Sequence, residues 1–235
     1  RTLDNSYLMV LGIAYLFVAC LDLLHALAYK GMNVFPGHET NLPTQLWIAA
    51  RYMESISLLI APLFIGRRIK IGPLFSAYGA GFLFVILLIF VWKVFPDCFL
   101  EGLGLTLFKR TSEYVICSIL ATSLLLLFKR RDDFDKSVFR LLVTSISLTI
   151  ASELFFTFYV HAYGLSNLFG HLLKIASCVF IYRALIVTGL HKPYKLLSGN
   201  LKKGQLALKR SEERYRNLVE SLQEGCLLYT SPSPR

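Results

Sequence analysis

The chain has 235 residues, of which 55% are hydrophobic and 17% charged, and its mean hydropathy is +0.55. Typical soluble domains have about 45–50% apolar residues, so the composition excludes an ordinary soluble globular domain. The net charge of +10 does not indicate nucleic-acid binding, because the basic residues collect in short segments beside apolar runs rather than among aromatic side chains.

Six long apolar segments follow one another along the chain. The run 74–92 contains no charged residue, and about 20 such residues span a bilayer as a helix. The fold class that this predicts is all-α: a polytopic transmembrane helix bundle with a C-terminal cytoplasmic signalling helix. The six predicted spans cover residues 6–24, 43–65, 74–95, 113–128, 138–160 and 170–189.

The charges of the connecting loops predict an orientation. The loops 66–73 and 129–136 and the segment after 190 are rich in Lys and Arg, whereas 25–42 and 161–169 are poor in them, and 96–112 is expected to be a loop of mixed charge. Basic loops stay on the cytoplasmic side. We therefore expect a multi-pass protein of the bacterial inner membrane with its C-terminus in the cytoplasm.

The sequence becomes polar and helix-forming after residue 193. Leu201, Leu208, Tyr215 and Leu222 recur every seven residues, which is the spacing of a coiled-coil seam. This predicts a linker helix over 196–215 and a homodimer formed through it. The last ten residues, 226–235 (CLLYTSPSPR), do not continue the pattern, and we expect them to be a non-native tail.

Cysteine spacing and motif content exclude several kinds of site. The five cysteines show no CxxC pair, which argues against a disulfide framework or a zinc site. No nucleotide-binding or hydrolase motif occurs, so this part of the chain is not expected to be an enzyme. His25 and His171 could still be axial haem ligands, or copper ligands with soft donors from Met32, Cys20 or Cys178.

Ionisable residues interrupt the predicted spans and are densest over 22–54, which also contains Lys30, His38 and Glu39. A charge at the bilayer centre costs about 2.5–3.5 kcal/mol even on insertion scales, so such groups should face the bundle interior and pair. We predict one polar cluster in the outer half of the membrane. Its carboxylates would be Asp22, Glu54 and Glu153, and its cations Arg51 and Lys174.

Simpler roles remain open for individual members of this cluster. Lys174 could snorkel to a membrane surface, and Arg51 with Glu54 could be a structural ion pair that binds nothing. His171 could be an interface residue, and Asp22 with His25 could anchor a helix end in the headgroups.

Several motifs, in order, resemble a known bacterial family. DLLHALAYKGMNVFPG, NLPTQLWIAARYMESISLL, FPDCFLEGLGLTLFKRTSEY, SELFFTFYV and GLSNLFGHLLKIASCVFIYRALIVTGLHKPY are similar to the third type of membrane-associated sensor (MASE) domains. The resemblance implies a transmembrane sensor domain over 1–195, with a further N-terminal helix, and so seven spans, in the intact domain. SEERYRNLVESLQEG, 211–225, resembles the truncated start of a PAS domain.

The resemblance also implies a role in signal transduction. Such domains are input modules placed before histidine kinase, diguanylate cyclase and PAS domains, so the longer protein is expected to be a sensor kinase or a cyclase that responds to an unknown small-molecule or membrane signal. An ion-coupled transporter and a haem- or metal-bearing redox protein are the alternatives. The motif residues that carry over as signal-sensing candidates are Asp22, His25, Tyr29, Lys30, Asn41, Gln45, Trp47, Arg51, Glu54, Glu113, Glu153, Asn167, His171 and Lys174.

Overall fold

Seven α-helices make up most of the described chain. The computed structural model describes residues 5–36, 40–67, 69–157, 165–186 and 192–230, so His38 and Glu39 lie outside the described residues. The helices are α1 (Asn5–Leu27), α2 (Asn41–Ile60), α3 (Ile71–Ile86), α4 (Leu107–Lys129), α5 (Lys136–Thr157), α6 (Leu165–Ile186) and α7 (Lys192–Thr230).

Short elements extend or connect these helices. Three 3₁₀ turns cover Lys30–Met32, Ala61–Phe64 and Arg131–Asp133, and a π-helical turn, Leu87–Val91, continues α3. Strands β1 (Phe99–Leu100) and β2 (Gly104–Leu105) form a small antiparallel hairpin before α4.

The predicted transmembrane helix bundle is confirmed. Six of the described helices, α1 to α6 with their short extensions, are long and apolar enough to cross a membrane. Most predicted bounds agree with the observed ones within a few residues. The largest differences are at the fourth span, which begins at Leu107 rather than at 113, and at the sixth, which begins at Leu165 rather than at 170.

The early start of α4 has a local cause. The side chain of Thr106 accepts a hydrogen bond from the backbone N–H of Lys109 at 3.2 Å, and so caps the helix. Such a cap satisfies one of the backbone donors that are orphaned at a helix N-terminus. The prediction that 96–112 is a loop was therefore wrong in its second half.

The first half of that connection is also more ordered than predicted. β1 pairs with β2 in the register Phe99↔Leu105, and Gly102 and Gly104 adopt φ angles of +81° and +82°. A left-handed backbone favours glycine at such positions. The prediction missed this hairpin because strands of two residues carry no detectable hydrophobic periodicity.

Two polar side chains of α2 hold the hairpin against the bundle. The amide oxygen of Asn41 accepts from the backbone N–H groups of Cys98 and Phe99, at 2.8 and 3.1 Å, and its amide nitrogen donates to Asp97. The Gln45 amide donates to the carbonyl oxygens of residues 95 and 96. We call this side of the bundle, where α1 ends and α2 and α4 begin, the hairpin end.

Cys98 is sealed beneath the hairpin. Its side chain is fully buried, and burial raises the pKa of its thiol to about 12. A thiol with so high a pKa is a poor nucleophile and a poor metal ligand at neutral pH. Cys98 therefore acts as part of the core.

Hydroxyl groups join α5 to α6. Ser145 and Thr149 of α5 contact Ser177 of α6, with oxygen–oxygen distances of 2.6–3.0 Å, and Ser152 donates to the carbonyl oxygen of Gly170 at 2.8 Å. Small residues of this kind let transmembrane helices approach closely. The polar stripe of α5 therefore serves largely as a helix–helix contact.

α3 is the span least enclosed by protein. None of its residues from Ile71 to Ile86 is buried, although the Tyr78 hydroxyl donates to Ser57 of α2 at 2.7 Å. A helix that is apolar on all sides, with few protein neighbours, suits a position against lipid. α3 therefore leaves the polar interior to the other spans.

The chain divides into two compact units, Arg1–Gly189 and Leu190–Arg235. The second contains the 39-residue helix α7. We predicted a sensor domain over 1–195, a linker helix over 196–215, the start of a PAS domain over 211–225 and a non-native tail over 226–235. This division stays a prediction.

Candidate functional site

Arg51 occupies the centre of α2 and binds two carboxylates. Its side chain is fully buried, and its two terminal nitrogens lie 2.5 Å from Asp22 Oδ1 of α1 and 2.5 Å from Glu54 Oε2. Arg51 lies about 15 Å along α2 from Asn41, at about 1.5 Å per residue. This guanidinium thus joins α1 to α2 well below the hairpin end.

Glu54 receives two further donors. Lys174 Nζ of α6 lies 2.5 Å from Glu54 Oε2, and the hydroxyl of Tyr15 donates to Glu54 Oε1 at 2.9 Å. Glu54 and Lys174 are 1% and 6% exposed. We call Asp22, Arg51, Glu54 and Lys174 the ion cluster.

The ion cluster is electrically balanced and links three helices. Its two carboxylates neutralise its two cations, which reduces the cost of burying them away from water. Removing one member would leave another charge buried without a partner, which is far more costly than a lost surface ion pair. The ion cluster therefore ties α1, α2 and α6 together.

A layer of rings lies between the ion cluster and the hairpin end. Trp47 packs against His25, His171 and Phe156 with ring centroids 5.2, 5.4 and 4.8 Å apart. The Arg51 guanidinium lies 4.5 Å from the Trp47 ring centroid, an attractive cation–π distance. We call His25, Trp47, Phe156 and His171 the aromatic layer.

A second buried ion pair lies on α4 alone. Lys109 Nζ pairs with Glu113 Oε1, and both side chains are at most 2% exposed. Residues four apart share one face of a helix, so this pair needs no second helix. The Lys109 ammonium also lies 6.0 Å from the ring of Phe156, which brings the pair beside the aromatic layer.

Glu153 of α5 is a buried acid of another kind. Its side chain is fully buried, and neither of its carboxyl oxygens has a hydrogen-bond partner among the described residues. Arg51, Lys109 and Lys174, on three other helices, lie within electrostatic range of its carboxyl group. It thus faces both ionic groups but forms no ion pair in the described part of the chain.

An open groove of about 390 Å³ runs beside the ion cluster between α1, α2 and α6. Asp22, His25, Trp47 and His171 form its polar end, and Val179 and Tyr182 of α6 form its apolar side. We call it the lateral groove. A smaller void of about 50 Å³ lies between the aromatic layer, Lys109 and Asn167.

The structure brings together most of the predicted site residues, and their role in sensing stays a prediction. Asn41 and Gln45 hold the hairpin and do not contact the ion cluster. Lys30 is exposed in the 3₁₀ turn after α1, and Tyr29 precedes that turn with 48% of its surface exposed. Those in or beside the interior site are Asp22, His25, Trp47, Arg51, Glu54, Glu113, Glu153, Asn167, His171 and Lys174.

Sequence reasoning missed two residues of the site. Tyr15 lies seven residues before Asp22 and therefore on the same face of α1. Lys109 was placed in a loop, although Glu113 four residues later is a signal for an intrahelical pair. Both spacings were available in the sequence.

The two histidines that were candidate metal ligands are neighbours. Their ring centroids are 6.3 Å apart, with an angle of 29° between the ring planes. Within the described residues, no group of three or more His, Cys, Asp or Glu side chains is arranged to hold a metal ion. Met32, a candidate soft donor, is 56% exposed in the turn after α1.

Comparison with known proteins gives one match. The sequence pattern of MASE3, described as a membrane-associated sensor domain, matches residues 1–193. No curated protein and no solved structure matches the chain.

Proposed function

Because the chain belongs to the MASE3 family of membrane-associated sensor domains, we propose that its ion cluster is the sensing element. A stimulus that changes the pairing of Asp22, Arg51, Glu54 and Lys174 would repack α1, α2 and α6. The observation that carries this proposal is the 2.5 Å contact between Lys174 and Glu54. It couples the charge state of the interior to α6, the last span before the C-terminal helix.

We also propose that the hairpin end faces the periplasm and that α7 lies in the cytoplasm of a bacterium. The basic residues of the segments 66–73 and 129–136 support this orientation. Asp22 would then lie in the periplasmic half of the inner membrane, and Arg51, at the centre of α2, near its middle. A fluorescent protein fused after residue 222 should fluoresce if that end is cytoplasmic, and a dark, stably inserted fusion would contradict the orientation.

The proposed output is a histidine kinase or a diguanylate cyclase that works as a dimer. Support comes from α7, where Leu201, Leu208, Tyr215 and Leu222 are 61–74% exposed in the single chain. Apolar side chains at heptad spacing are normally covered by a partner helix. A second copy of α7 is the partner that we propose.

Leu208→Asp should weaken this dimer, because it places a charge in the seam. Leu206→Asp, on a different face of α7 and also exposed, is the matched control. Crosslinking in membranes would measure the dimer, and equal crosslinking in both variants would contradict the proposed seam.

The central experiment uses Arg51→Ala in the longer protein that contains this domain. We expect the variant to insert normally but to lose its response or to lock the output on or off, measured as autophosphorylation or cyclic diguanylate synthesis in isolated membranes. Arg140→Ala removes an exposed arginine of α5 and should leave the response intact. A normal stimulus response in Arg51→Ala would contradict the proposal.

The family assignment favours sensing over ion-coupled transport and over metal-based redox chemistry. A balanced set of charges that ties one terminal span to two others is an element with two packing states. Such an element passes on a signal without moving a solute.

A further inference from the structure

The polar end of the lateral groove carries hydrogen-bonding groups that the described protein does not satisfy. Trp47 is 6% exposed, and its Nε1–H has no acceptor among the described residues. One carboxyl oxygen of Asp22 accepts a hydrogen bond from Arg51. One-third of the Asp22 side-chain surface is exposed, and the residue lines the groove. The second oxygen of Asp22 is therefore open to a molecule in the groove, whereas the Trp47 Nε1–H is enclosed by protein.

The histidines of the groove offer further groups. His25 Nδ1 lies 2.7 Å from the carbonyl oxygen of Pro43. A carbonyl oxygen only accepts, so Nδ1 carries the hydrogen, and Nε2 of the neutral ring is left as an acceptor. His171 packs its ring on His25 and Trp47. The groove therefore presents two acceptors, His25 Nε2 and the second oxygen of Asp22, to a hydroxyl group of a bound molecule.

The charge of the groove favours a neutral occupant. Asp22 is paired with Arg51, and Lys174 is paired with Glu54. An anionic headgroup would find no uncompensated cation there, and a cationic one would compete with Arg51 for Asp22. A bound head that is polar but uncharged matches this environment.

The shape of the groove favours a flat ring with an apolar tail. The rings of His25, Trp47 and His171 lie at its polar end, and aromatic faces stack well on planar rings. Val179 and Tyr182 are 49% and 63% exposed on a membrane-spanning helix, so a tail could lie along α6 within the lipid. A volume of about 390 Å³ is within the usual range of ligand sites.

We propose that the lateral groove binds the ring of a neutral, lipid-soluble quinol. His25 Nε2 or the second oxygen of Asp22 accepts from a quinol hydroxyl. The inference deepens the proposed function, because a ring held beside Asp22 and Lys174 would bias the ion cluster directly.

The binding test uses the fluorescence of Trp47 in the purified chain in nanodiscs. Trp92→Phe removes the other tryptophan, which is 53% exposed and outside the groove. Titration with the quinol of 2-decyl-1,4-benzoquinone should quench Trp47 saturably with one molecule per chain, and the oxidised quinone should bind more weakly because it has no hydroxyl to donate. Quenching that never saturates in either form would mean partition into lipid and would overturn the inference.

Matched substitutions on α6 locate the site. Val179→Phe fills the groove and should weaken binding at least tenfold. Leu172→Phe places the same phenylalanine side chain at an exposed position that does not line the groove, and it should change binding less than twofold. Equal effects of the two variants, or equally effective displacement by decanoate, would show that the groove does not select a neutral ring.

Failure of this inference is distinguishable from failure of the proposed function. If the quinone probes do not bind but Arg51→Ala still locks the output, only the ligand class is wrong. If the probes bind but Arg51→Ala responds normally, the groove is a binding site and the ion cluster is not the sensing element.

Discussion

The two buried ionic arrangements of the bundle differ in what they hold together. The ion cluster joins α1, α2 and α6 through Arg51 and Glu54, whereas the pair Lys109–Glu113 is complete within α4. Both sets are buried, so burial alone does not distinguish them. The difference teaches that a charge is suited to signalling when its partner lies on another element, because the pairing then depends on helix positions.

Arg51→Met should give the largest effect on stability. It leaves both Asp22 and Glu54 without this cation, and breaking a buried ion pair typically costs about 3–5 kcal/mol. Thermal unfolding in detergent, monitored by size-exclusion chromatography, would measure the loss of stability. Arg140→Met is the control. Equal melting temperatures of the two variants would contradict the expectation that buried Arg51 stabilises the fold more than exposed Arg140 does.

Lys174→Met should cost less, about 3 kcal/mol, at the lower end of the same range. Glu54 retains Arg51 and Tyr15 as donors, so its charge remains partly compensated. Because the lost contact joins α6 to α2, crosslinking between cysteines placed on these helices should also change. Unchanged crosslinking would argue that the ion pair does not control the position of α6.

Lys109→Met should also destabilise the fold by about 3 kcal/mol, because it leaves the buried carboxylate of Glu113 without its cation. No contact between helices is lost with this pair, so the signalling output should persist in the longer protein. Comparison with Lys174→Met in the same output assay sharpens the contrast. An output lost to the same extent in both variants would assign Lys109 to the sensing element.

Glu153→Gln should have the smallest effect, within about 0.5 kcal/mol, as for substitutions that remove no specific contact. Neither carboxyl oxygen of Glu153 has a partner in the described part of the chain, and glutamine preserves the size of the side chain. The measurement is the same unfolding assay. A loss comparable to that of Lys174→Met would show that the Glu153 carboxylate compensates a cation.

The six spans could be predicted because each is an apolar run long enough to cross a bilayer, and this signal does not depend on neighbours. The start of α4 could not be predicted in this way, because Lys109 and Arg110 resemble loop residues until the Thr106 cap and the Lys109–Glu113 pair are known. The hairpin that follows Cys98 could not either, since it depends on side chains of α2 more than fifty residues earlier.

For the candidate site, the sequence indicated which charges need partners but not which partners they take. Asp22, Arg51, Glu54, Glu153 and Lys174 all interrupt predicted spans, and neutrality required pairing among them. In the folded bundle Lys174 binds Glu54 of α2, and Glu153 of α5 is left without a partner among the described residues.

The sequence by itself determined that this chain is a membrane bundle with charged groups in its interior, because apolar run length and the cost of an unpaired charge in lipid act locally. Only the tertiary structure decided that four of those groups form one cluster across three helices and that a groove opens beside them. Those outcomes depend on distances between side chains that are far apart in the sequence.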